Sequence, residues 1–125
     1  MSRFDQHDFV GLAKSLAMSK PGDGWDEAKY RTAVGRAYFA TFLLARTVAK
    51  SKGAPISSNG NAHREVPAYF ETRTDDASKK VALSLKTLKR ARTQCDYDDA
   101  PPVNANIARL QCSMAETAIR IIDAL

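Results

Sequence analysis

Apolar positions recur at helical spacing almost from the first residues of the chain. Phe9, Leu12, Ala13, Leu16 and Ala17 fall three or four apart, which predicts a first helix with Asp5 as its N-cap. "SKPGDG" at 19–24 then gathers residues that punctuate rather than propagate, with Asp23 placed to cap the next helix. A long second helix is expected from about Asp26 to Lys52, stopped by Gly53. Its seam of Tyr30, Val34, Ala37, Thr41, Leu44 and Val48 is widened by Tyr38, Phe42 and Ala45. A helix apolar over so wide an arc is packed on more than one side, as in the middle of a bundle.

"APISSNGN" at 54–61 reads as a loop, and "HREVPAYFETR" after it starts a short third helix if Pro67 falls in the first turn, where no intrahelical N–H is needed. A fourth helix from Asp75 or Asp76 has acid at its start and Lys89, Arg90 and Arg92 near its end, both matching the macrodipole. "DYDDAPP" ends it. The last helix, from Val103 or Asn104, places Ile107, Leu110, Met114, Ala118, Ile121 and Leu125 on one side. No stretch alternates as a strand does. The pattern predicts an all-α fold, an antiparallel up-and-down bundle of four main helices plus a short one, in a single domain over 1–125.

Composition adds boundaries to this picture. A chain of 125 residues can hold one core without metal or disulfide staples, and 44% hydrophobic with 26% charged residues is the ordinary globular range. Two cysteines make no disulfide framework and "MSRFDQHDF" carries no apolar signal segment, so a reduced, cytoplasmic protein is expected. The longest apolar run, "AYFATFLLA" at 37–45, is far shorter than the roughly 20 residues of a membrane span. His7 and His63 are far apart, and neither a CxxC pair nor a Gly-rich phosphate loop is present, so no metal or cofactor is expected. The net charge of +5 and pI near 9.4 favour polyanionic or acidic partners.

Plotted on a helical wheel, the fourth helix puts Val81, Leu85, Leu88 and Cys95 on one side with Arg92 among them, and Lys79, Lys86 and Arg90 on the other. The outer stripe reads as a solvated face that also attracts a polyanion. Arg92 either snorkels or pairs with Asp96 one turn later, or else it lines a groove or dimer seam and grips a phosphate with its planar guanidinium. Tyr97 can stack a base or hydrogen-bond across such a seam, or else pack half-buried. Arg36, on the side of Ala33, Phe39, Ala40 and Leu43, needs a partner. Asp96 and Asp98 are the carboxylates on offer, for a salt bridge between the second and fourth helices.

Two stretches resemble a known family. "YRTAVGRAYFATFLLAR", Tyr30 to Arg46, is similar to the helix typified by "R.A.SRAYYA.FH.AR" in small prokaryotic HEPN-domain proteins, and "LKRARTQCDYDD" resembles their "LR..R..ADYD" segment. "NAHREVPAYF" lies where that group has a His followed by an apolar helix, so the resemblance runs over residues 8 to 122. It implies an antiparallel helical bundle, usually a homodimer, among RNA-directed or nucleotide-associated proteins. Many of these are encoded beside minimal nucleotidyltransferases as toxin and antitoxin pairs, or serve in defence systems. Active members are metal-independent RNases with an Arg, four to six residues, then a His. Arg92 matches the arginine, but the histidine position falls on Tyr97, Asp98 or Asp99, and the family's "FH" reads Phe42-Leu43.

Neither His7 nor His63 follows an arginine at that spacing. Cleavage by 2′-OH attack benefits from a group titrating near neutrality, which histidine supplies. The expected protein is therefore a dimeric HEPN-like bundle without the usual Arg-His motif, binding RNA, a nucleotide or a nucleotidyltransferase partner. Arg36, Arg92, Asp96 and Tyr97 would shape its groove, and Lys79, Lys86 and Arg90 would add attraction. Two alternatives stand beside this one. In the first the protein is a divergent RNase toxin, in which Arg92 stabilises the pentavalent phosphate and Tyr97 or Asp98 replaces the base. In the second it is a bundle that only mediates protein contacts.

Overall fold

The apolar periodicity resolves into five helices in the computed structural model, which describes residues 5–22, 24–97 and 102–125. They are α1 (His7–Ala17), α2 (Asp26–Ser51), α3 (Ala62–Glu71), α4 (Asp76–Cys95) and α5 (Ala105–Asp123). All regular structure among the described residues is helical.

Local chemistry sets the helix ends. Asp75 accepts the Ser78 N–H at 2.9 Å to open α4, and Asn104 accepts the Ile107 N–H at 2.9 Å to open α5, each satisfying a donor that has no intrahelical partner. Asp5 sits two residues before α1, accepting the His7 N–H at 2.9 Å, while Gln6 takes the N-cap position. Asp23 lies outside the described residues. α2 stops as expected at Gly53, whose φ of +89° suits a residue without a Cβ. There the Ala54 N–H reaches the Ala49 carbonyl and the Gly53 N–H reaches Lys50, the paired bonds of a Schellman end.

Contacts between distant parts of the chain fix the helix directions. Lys14 meets Glu116 at 3.6 Å and Arg109 donates to the Ala17 carbonyl at 3.3 Å, so α1 and α5 run antiparallel. Arg31 donates to the Cys95 carbonyl at 2.7 Å while Gly35 faces the stem of Arg92, so α2 and α4 do too. α2 packs against all four other helices. Its alanines, Ala33, Ala37, Ala40, Ala45 and Ala49, are fully buried and let neighbours approach closely. Around them Tyr38, Val34, Val66, Phe70, Val81, Leu85, Leu88 and Ile122 fill the core. Fully burying an aliphatic side chain of this size contributes roughly 1.5–3 kcal/mol.

Two expectations need correction. Pro67 is not in the first turn of α3 but within the helix, where it cannot supply the N–H that would bond the His63 carbonyl. On α5 the inward face is Ala108, Gln111, Cys112, Ala115, Ala118, Ile119 and Ile122, so the anticipated seam is rotated by about one position, with Ala118 buried as expected and Met114, Ile121 and Leu125 partly buried against the core. Ile107 and Leu110 are 41% and 61% exposed. The helix carries two overlapping apolar arcs, and the one rich in small residues turns inward because α5 crosses close to the alanine-lined α2. No described helix is long and apolar enough to cross a membrane.

Candidate polyanion-binding face

α4 forms a ridge with a cavity on each side. On the α2 side, Arg31, Thr32, Gly35, Arg36, Phe39, Arg92 and Asp96 line a space of about 470 Å³. Arg31 is fixed by Glu27, one turn earlier, through Nε at 3.1 Å and Nη2 at 2.8 Å, and its Nη1 takes the Cys95 carbonyl at 2.7 Å. That carbonyl is one of the unpaired acceptors at the end of α4. This contact, not a salt bridge from Arg36, is a polar link between α2 and α4.

Arg36 departs from expectation for a geometric reason. It projects outward over α1, with its guanidinium carbon 5.2 Å from the Phe9 ring centre and 5.9 Å from that of Phe39. Cation–π contact replaces the anticipated carboxylate partner. Asp96 instead approaches Arg92, with Nε–Oδ2 at 3.6 Å, and Asp98 lies outside the described residues. Arg92 satisfies two of its readings together, since it pairs with Asp96 one turn on and also lines the cavity. Its side chain keeps 40% exposure, its stem passes Gly35, and its guanidinium carbon sits 5.9 Å from the Tyr38 ring centre. Tyr97 is 59% exposed rather than half-buried.

On the α3 side, His63, Arg64, Pro67, Lys86, Lys89, Arg90, Thr93 and Gln94 line a second cavity of about 420 Å³. No carboxylate is among them. His63 is held from below: its ring stacks on Phe42 at 4.2 Å and 17°, and its Nδ1 lies 2.6 Å from the Tyr38 hydroxyl. So short a bond fits the phenol as donor, because O–H donors approach closer than N–H donors. That assignment leaves the proton of a neutral ring on Nε2. Glu65 steadies the start of α3 by accepting from the Ser57 N–H at 2.9 Å and its hydroxyl at 3.0 Å.

The electrostatics agree with the geometry. Burial, then the charges of Lys89, Arg92 and Arg46, hold His63 below the ordinary histidine range. Burial pushes Tyr38 up to about 12, opposed in part by Arg92. At neutral pH the pair is a neutral phenol donating to a neutral imidazole, surrounded by cations. Such a face presents donors and positive charge, and so it suits an anion. At neutral pH the lowered His63 favours the neutral ring over the imidazolium acid. Burial raises Cys95 and pushes Cys112 up to about 11. Among the described residues no three His, Cys, Asp or Glu groups gather to hold a metal ion.

Of the outer stripe, Lys79, Lys86 and Arg90 are all exposed. Lys86 and Arg90 line the second cavity, where Lys86 also pairs with Glu71. Lys79 lines neither cavity. Sequence reasoning passed over Arg31, Tyr38, His63 and Lys89. The signal for Tyr38 was available, because a tyrosine in the middle of a buried seam needs a partner for its hydroxyl. The signal for His63 was partial, since the resemblance has a His in the "NAHREVPAYF" segment but its neighbours Arg92 and Lys89 lie far along the chain.

Over 137 aligned positions the chain is 33% identical to the uncharacterized protein MJ0992 of Methanocaldococcus jannaschii, which covers 96% of this chain and 73% of that protein. It is 29% identical over 112 positions to the uncharacterized protein MJ0628 of the same organism, covering 79% of this chain and 66% of that one. No protein-family profile matches the chain, and no solved structure does.

Proposed function

The chain belongs to the family of the Methanocaldococcus jannaschii protein MJ0992, and from the arrangement of its charged groups we propose that it is a HEPN-like helical protein that binds RNA or a nucleotide. In this reading it acts as a homodimer, beside a nucleotidyltransferase partner in a toxin-antitoxin or defence module, and without the usual Arg-His ribonuclease motif. The observation that carries the reading is the α2–α4 cavity, where Arg31, Arg36 and Arg92 outnumber the one lining carboxylate, Asp96. Arginines held by neighbours but still open to solvent suit phosphate oxygens, which they can grip through two parallel bonds. Tyr97, exposed one turn beyond Arg92, offers a ring on which a base can stack. The exposed Ile107 and Leu110 on α5 supply an apolar contact for a second copy. Sedimentation of Leu110→Glu beside the wild type tests this, with loss of the dimer expected.

The test of function is labelled total RNA incubated without metal, with the wild type and with Arg92→Ala. Binding by the wild type, intact RNA and weaker binding by the variant are expected. Cleavage by the wild type alone would move the assignment to a divergent RNase in which Arg92 works with Tyr97 or Asp98. Absence of RNA binding in both would leave a bundle that mediates protein contacts.

A further inference from the structure

We propose that the α3–α4 cavity around His63 is a second anion site, which takes a phosphate monoester carried on an organic body, as in a nucleotide or the 5′ end of an RNA. The inference shares its class of ligand with the function proposed above but not its lining residues, so each can fail alone.

The floor of the cavity is the fixed imidazole. Tyr38 occupies Nδ1 at 2.6 Å and Phe42 stacks beneath the ring, so the orientation is set before any ligand arrives. The Nε2–H edge is what remains for the cavity that His63 lines, and no described residue bonds it. Charge on the walls comes from both helices: Arg64 on α3, and Lys86, Lys89 and Arg90 on α4. Behind the ring, Arg92 on α4 and Arg46 on α2 act on it through space. No acid is among its lining residues, and Glu71 pairs with Lys86. Several cations around one neutral donor match the two negative charges of a monoester better than the single charge of a diester.

The exposed lining is mainly apolar, and Pro67, Thr93 and Gln94 complete it beside the charged side chains. At about 420 Å³ the space is in the range of small-molecule sites and larger than one phosphate needs. An organic body can lie against Pro67 while its phosphate meets the His63 Nε2–H and the Lys89 and Arg90 heads. Burial first, and the cations after it, hold His63 below its ordinary range, and an incoming dianion offsets the part due to the cations, so its arrival raises the pH at which His63 titrates.

The experiment is an NMR titration of the His63 ring protons in the full chain against pH, with AMP, adenosine or inorganic phosphate added. AMP is expected to shift the His63 midpoint upward, adenosine to leave it in place, and inorganic phosphate to act only at clearly higher concentration. In Lys89→Ala/Arg90→Ala, whose side chains are not core groups, the AMP affinity should fall by at least about tenfold, the loss of one charge-assisted bond. Arg36→Ala should keep the AMP response even where RNA binding weakens. A 5′-phosphorylated oligoribonucleotide that moves His63, where its 5′-hydroxyl counterpart does not, would identify the RNA end as a source of the monoester. The site is overturned if AMP leaves His63 unmoved, if adenosine shifts it equally, or if inorganic phosphate matches AMP.

Discussion

The Tyr38 hydroxyl lies 2.6 Å from Nδ1 of His63, joining the middle of α2 to the first turn of α3. Tyr38 is only 1% exposed, so its hydroxyl has no water to fall back on if the histidine is lost. Tyr38→Phe keeps the ring and removes the bond, and should lower stability by roughly 0.5–1.5 kcal/mol in urea unfolding. Because the phenol bonds the neutral imidazole, its removal should also let His63 titrate at a higher pH. An unchanged His63 titration would contradict the assignment of the phenol as donor.

Arg92 separates binding from folding. Its pairing with Asp96 is long, at 3.6 Å, and its side chain is 40% exposed, the setting in which an ion pair contributes roughly 0–1 kcal/mol. Arg92→Ala should therefore unfold within about 1 kcal/mol of the wild type. The same variant should bind RNA more weakly, with a salt dependence shallower by about one phosphate contact. Loss of several kcal/mol on unfolding would instead mark Arg92 as a buried structural charge.

The helices were legible because their signals are local. Asp75 and Asn104 cap where polar residues precede apolar periods, Gly53 stops α2, and the width of the α2 apolar arc announced a central helix. The α5 seam was misplaced because Ile107 and Leu110 are better hydrophobes than Ala108 and Ala115. Periodicity weights apolar character, whereas close packing against α2 selects for small size. At the candidate site Arg92 was legible, since a charge among apolar wheel positions stands out. The resemblance has a His in the segment of His63, but its surroundings were not legible, because it meets Tyr38 and the α4 cations only after α3 folds back against both helices.

Gly35 gives a test of packing at the edge of the first cavity. It lies inside α2, where glycine is about 0.8–1 kcal/mol less favourable than alanine. A Cβ there would meet only the Arg92 Cγ, at 3.9 Å, an ordinary contact. Gly35→Ala should thus raise stability by up to about 1 kcal/mol, seen as a higher urea midpoint at unchanged slope. RNA binding should survive, because the added methyl touches the stem of Arg92 and not its head.

The two histidines should tilt stability with pH in opposite directions. His7 bridges Asp5 at 2.7 Å and Asp123 at 2.9 Å, latching the start of α1 to the end of α5, and the bonds to Asp5 and then Asp123 raise it above the ordinary 6.5. A raised group contributes fully below its unfolded value, and the contribution is lost as pH climbs through the folded value. The latch therefore weakens above about pH 6.5. At acid pH it weakens again: His7 bonding lowers Asp5 in the fold, so that part is lost as pH falls through the folded value. His63 is lowered instead, so the fold favours its neutral ring, and stability drops as pH falls below about 6.5. Urea unfolding between about pH 5 and 9 should show His7→Ala losing the decline on the alkaline side. His63→Ala should lose the decline on the acid side below neutrality. Both histidines are partly open to solvent, so the slopes are small, and salt should flatten that of His7 first. Identical pH profiles for wild type and His7→Ala would remove the latch from the stability of the fold.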